Sequence, residues 1–131
     1  MRNLALALVV PALAAAIPAQ ADLISGVHVA VNRHEYRGTA CPVEVIFTAS
    51  VNIAPGHGPA GVFNYHWERS DGAKTAQQVI RVGPAGQTKV FRDRWLIGRP
   101  GTVHDINQTI FVNSGNEHIQ ETSATVHIDC R

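Results

Sequence analysis

Alternation of apolar and polar residues at period two, in short runs separated by glycine and proline, limits this chain to β structure. The clearest run is Phe63-Asn64-Tyr65-His66-Trp67-Glu68, closed by Asp71-Gly72. Phe63, Tyr65 and Trp67 fall on one face of an extended strand and Asn64, His66 and Glu68 on the other. Asp71 and Gly72 have the chemistry of a turn. Three aromatic side chains on one strand face give a small core its centre. Replacing Trp67 by Ala is expected to cost about 3–5 kcal/mol if the ring is buried there.

The same period recurs on both sides. Residues 26–32 place Val27, Val29 and Val31 on one face, with His28, Ala30 and Asn32 on the other. Residues 43–52 direct Val43, Val45, Phe47, Ala49 and Val51 inward. A weaker run at 77–82 offers Ile80 and Val82, and a run at 88–97 offers Phe91, Trp95 and Ile97. Further strands are expected at 105–112 and, with Ala124, Val126 and Ile128 inward, before Cys130. Residues 54–61, 83–86, 98–101 and 113–118 carry turn or loop composition. Helical periodicity of useful length is missing beyond the leader. Seven short alternating segments predict an all-β fold, a single antiparallel immunoglobulin-like β-sandwich.

The amino terminus predicts export. Met1-Arg2-Asn3 is a short positive start, residues 4–17 are apolar, and Ala19-Gln20-Ala21 is a small-x-small cleavage pattern. Residues 1–21 are therefore expected to be a secretory signal peptide and residues 22–131 one domain, periplasmic or secreted. The apolar run is too short to span a bilayer comfortably. With 11 Lys and Arg against 10 Asp and Glu, loss of Arg2 brings the charges into balance. A neutral domain offers no global attraction for nucleic acid.

Cys41 and Cys130 are the only cysteines, and in an exported chain they are expected to form a disulfide. Closing so long a loop stabilises the fold by roughly 4–5 kcal/mol on the chain-entropy account. In an antiparallel sandwich the strand that starts after Cys41 begins where the last strand ends, so the pairing is geometrically reasonable.

Val45-Ile46-Phe47-Thr48-Ala49-Ser50, then Tyr65-His66-Trp67, then Ser70-Asp71-Gly72, resembles the small exported bacterial immunoglobulin-like and PKD-like domains. The resemblance implies a sandwich with a binding or structural role and carries over no catalytic residue.

Read residue by residue, the chain offers three places for function. Lys74, Arg81, Lys89, Arg92, Arg94 and Arg99 face a single acid, Asp93, between positions 74 and 99. If the 77–82 and 88–97 strands pair, Arg81, Arg92 and Arg94 form a basic stripe for an envelope glycan or an acidic protein. The loops carrying His57, residues 83–87, and Asn116 with His118 are expected at one end of the sandwich, where such scaffolds present binding residues. Seven histidines allow a metal-handling alternative that uses some of His28, His66, His104 and His127. No two of them have zinc-motif spacing, and the best pair is His28 with His127. No metal or cofactor is expected. Glu44, Glu68, Asp71, Asp93 and Asp105 form no evident catalytic pair, so no enzymatic activity is expected. The expected function is that of an exported, non-enzymatic binding or structural module whose partner is a protein or an envelope glycan. Loop-borne inhibition of an envelope-targeting hydrolase is a further alternative.

Overall fold

The computed structural model describes residues 23–56 and 61–131. The expected leader and His57 lie outside them. Among the described residues ten strands follow in chain order: β1 (Ile24–Val31), β2 (Glu35–Gly38), β3 (Val43–Ile53), β4 (Gly61–Arg69), β5 (Gln78–Val82), β6 (Gln87–Ile97), β7 (Val103–Ile106), β8 (Gln108–Ser114), β9 (Glu117–Thr122) and β10 (Val126–Cys130). They form three sheets, ordered β1-β3-β6, β5-β4-β8-β9 and β2-β10-β7. The fold is all-β, as the alternation requires, but ten strands in three sheets replace the seven in two that were expected.

The core follows the period-two reading closely. Val43, Val45, Phe47, Ala49, Val51 and Ile53 are buried along one face of β3. Phe63 and Trp67 are buried on β4, and Ile110 and Val112 on β8 beside it. Phe47 lies against Trp95 at a centroid distance of 6.4 Å. The buried side chains, Val126 and Ile128 of β10 included, form one continuous cluster. Ala124, expected inward, is exposed and precedes β10.

Two strands were not anticipated. The polar stretch 113–118 is a tight hairpin, with Gly115 at a φ of 56° between β8 and β9. β9 has polar residues on both faces and only Ile119 to pack, as an edge strand can. β2 is four residues long and runs parallel to β10.

The run expected as one strand at 105–112 is split at Asn107. Ser70 donates its N–H to the Asn107 carbonyl at 3.0 Å, and Asn107 returns its N–H to Ser70 Oγ at 3.1 Å. Ser123 meanwhile binds the Gln108 backbone on both its donor and its acceptor. Asn107 is thus held by the turn after β4, so β7 enters the third sheet while β8 stays in the second. β10, expected to close the sandwich, pairs with β7 and β2.

The third sheet is tied down covalently. Cys41 and Cys130 form the expected disulfide, with Cα atoms 6.1 Å apart. Gly98 turns the chain beside it at a φ of 106°, and a Cβ there would overlap Cys130 Sγ. Gly72 has a comparable φ of 93° but open space around it. Both positions strain an L side chain, and only Gly98 adds a collision. Gly98→Ala is therefore expected to destabilise the protein by about 2 kcal/mol more than Gly72→Ala, read from urea unfolding of the two variants. Equal losses would show that the sulfur contact is not limiting.

Candidate functional site

β6 lies face to face with β4, and the contact alternates between aromatic and polar. The odd-numbered residues of β6 point inward. Phe91 stacks on Tyr65 at 4.0 Å and meets Phe63 edge-on at 6.1 Å. Two residues on, Asp93 accepts hydrogen bonds from Gln108 Nε2 at 2.5 Å and from Arg69 Nη2 at 3.3 Å. Arg69 then covers the Trp95 ring at 5.1 Å. An acid turned toward a core is costly unless paired, and here a guanidinium and an amide both serve it. Burial, reinforced by the Asp93 carboxylate, raises the Tyr65 phenol above its ordinary range.

The β1-β3-β6 sheet ends at β6. Asn32 donates its N–H to the Ile46 carbonyl, and Ile46 donates its own to Asn32 Oδ1. Both polar groups of Ile46 therefore face β1. Ile46 is opposite Arg94 in the β3–β6 ladder, so the N–H and C=O of Arg94 point away from β3. By alternation the same holds for Thr88, Val90, Arg92 and Leu96. Among the described residues, β6 has no hydrogen-bonded neighbour strand on that side. One group is capped: Arg69 Nη2 donates to the Arg94 carbonyl at 3.0 Å.

The second sheet is wider than the first. β1 packs over β9 at one margin, and β6 covers β4 through the ring contacts just described. β5 lies beyond β4 in the second sheet. Of its inward residues, Val82 is buried and Ile80 is only partly buried.

The basic stripe is corrected by this topology. β5 pairs with β4 and β6 with β3, so Arg81 belongs to one sheet while Arg92 and Arg94 belong to the other. All three are exposed. Arg92 and Arg94 stand on the outer face of β6, and Arg94 Nε reaches Glu44 Oε1 only at 4.0 Å.

The loop end is hydrogen-bonded together. Gly56 donates to the Pro84 carbonyl at 2.8 Å, and Glu117 accepts the N–H groups of Leu23 and Ile24. Asn116 sits exposed in the β8–β9 turn. His118 lies beside it on the outer face of β9, with its Nδ1 2.7 Å from Asn113 Oδ1.

The remaining histidines are dispersed. His66 stacks on Phe111 at 4.8 Å, nearly parallel, with Nε2 3.7 Å from Glu68. Glu68 also accepts from Lys74 Nζ at 2.8 Å, which holds its carboxyl below and the Lys74 ammonium above their ordinary ranges. His127 Nδ1 meets Asp105 at 2.7 Å, and His104 Nε2 meets Thr102 Oγ1 at 3.1 Å. His28 and His127, the best expected pair, lie on β1 and β10 of different sheets. Among the described residues, no group of three or more His, Cys, Asp and Glu is placed to hold a metal ion.

Two recesses lie among the described residues. One, of about 380 Å³, lies between β1 and β9 and includes His28, His34 and Glu121. The other, of about 370 Å³, separates Trp95 and Ile97 of β6 from residues 104–106 of β7. Compared with known protein families and with curated proteins, the chain matches no family model and no curated sequence.

Arg69 and Gln108 were missed from sequence, although continuing the alternation of β4 past Trp67 puts Arg69 on the inward face. Tyr65 offers a test of the polar contact. Its folded pKa lies above the unfolded value, so the stability it contributes is complete below about pH 10 and is lost as pH rises through the raised value. Asp93→Asn is expected to bring the Tyr65 ionisation down toward the ordinary tyrosine range in an alkaline absorbance titration. An unchanged titration would mean that burial alone sets it.

Proposed function

We propose that this chain is an exported, non-enzymatic binding module of the periplasm or cell exterior, built on an immunoglobulin-like sandwich. The observation that carries the reading is the distribution of strands. β1, β3 and β6 face β5, β4, β8 and β9, which is how immunoglobulin-like domains divide their strands when the fourth strand of the first sheet is missing. β2, β7 and β10 are then an addition, fastened by the Cys41–Cys130 bond. A disulfide is at home in an oxidising compartment, and no helix among the described residues is long and apolar enough to cross a membrane. The half of the fold that this reading leaves incomplete, the open side of β6 with Arg92 and Arg94 beside it, is the surface proposed to bind.

Export is tested by expression in a Gram-negative bacterium, followed by fractionation and amino-terminal sequencing. The expected result is a periplasmic or released chain that begins at Asp22, with both cysteines unreactive to thiol reagents before reduction. A chain retained inside the cell, beginning at Met1 and carrying two reactive thiols, would contradict the proposal.

A further inference from the structure

We infer that the free edge of β6, over residues 88–92, is a docking strand for an extended acidic peptide. The inference rests on the reading of the chain as a binding module and names the partner chemistry of its open side.

Three observations converge on it. Thr88, Val90 and Arg92 direct their N–H and C=O groups outward with no neighbouring strand among the described residues, a ready template for strand addition. The opposite sheet extends beyond β6, so an added strand would be roofed by β5. Its inward side chains would land on Ile80 and Phe91, both only partly buried. The docking strand also has a defined end, because the Arg69 guanidinium occupies the Arg94 carbonyl.

Charge selects the occupant. The outer face of the edge carries Arg92 and Arg94, while Lys89 and the one acid, Asp93, are on the inward side, Asp93 engaged by Arg69 and Gln108. A second copy pairing antiparallel about Val90 would oppose Thr88 to Arg92, Lys89 to Phe91 and Val90 to itself, which gains no ion pair. Pairing about Arg92 would oppose Arg92 to itself. Pairing about Asp93 would oppose Arg92 to Arg94. Like charges directly opposite are destabilising in a ladder. A strand with acidic residues alternating with apolar ones satisfies both faces: carboxylates against the two arginines outside, aliphatic side chains over Ile80 and Phe91 inside.

The probe is a strand-length peptide alternating Glu and Val, compared with its Lys and Val counterpart, added to the purified oxidised protein. The readout is amide hydrogen exchange with residue resolution. The Glu peptide is expected to slow exchange at Thr88, Val90 and Arg92 by about tenfold or more, the equivalent of one or two added backbone hydrogen bonds. The Lys peptide is expected to leave these amides unchanged. Val90→Pro deletes one outward N–H at an edge position that tolerates proline, and should abolish the protection. Reversing both arginines, R92E with R94E, should transfer the preference to the Lys peptide, and decides the matter if the proline variant does not fold.

Protection that is absent, or that falls on another surface, would overturn the inference. Protection of the same three amides by rising protein concentration without peptide would overturn it in favour of a second copy. Failure of either kind leaves the export result standing, and failure of export leaves the peptide result standing.

Discussion

The contact between β4 and β6 determines what the rest of this molecule can present. Phe91 is held by Phe63 and Tyr65, Asp93 by Arg69 and Gln108, and Trp95 by the guanidinium of Arg69. Aromatic contacts supply attraction with little directional demand, whereas the Asp93 hydrogen bonds are satisfied at one register only. The polar half of the interface therefore positions β6 over β4. Once it is there, β5 extends past the first sheet, and among the described residues the outer side of β6 has no hydrogen-bonded neighbour strand. Arg69 serves both sides of this arrangement, because the group that neutralises Asp93 also caps the Arg94 carbonyl on the open edge.

In the third sheet β10 is placed between β2 and β7, and its final residue is in a disulfide to Cys41. Backbone hydrogen bonds from Gly101 to Cys130 and from Arg131 to Gly38 close the same corner. This end of the molecule is covalently and sterically committed, as the crowding at Gly98 indicates. The opposite end is held by the Glu117 carboxylate on the start of β1. The β6 edge lies between these two fastened ends.

How much of this was legible in the sequence depended on how local the cause was. The buried faces of β3 and β4 could be read because alternation is written residue by residue, and their inward positions are apolar. β9 could not, because an edge strand with polar residues on both sides has the composition of a loop. Pairing was the hardest part. Nothing in residues 77–97 distinguishes a β5 that pairs with β6 from one that pairs with β4, and the basic stripe through Arg81, Arg92 and Arg94 rested on that choice. Arg69 and Asp93 are instructive in another way. Both sit at inward positions by simple parity, yet a charged residue at such a position reads as an error until its partner on the other sheet is known. The binding residues expected at the loops are placed differently from one another: Asn116 is in a turn, His118 is on a sheet face, and His57 is outside the described residues.

Amide exchange in the unliganded protein tests the free edge of β6 most directly. The N–H groups of Lys89, Phe91, Asp93 and Trp95 face β3 and should exchange slowly, while those of Thr88, Val90, Arg92 and Leu96 should exchange fast, in strict alternation along the strand. Uniform protection along β6, or alternation in the opposite phase, would contradict it.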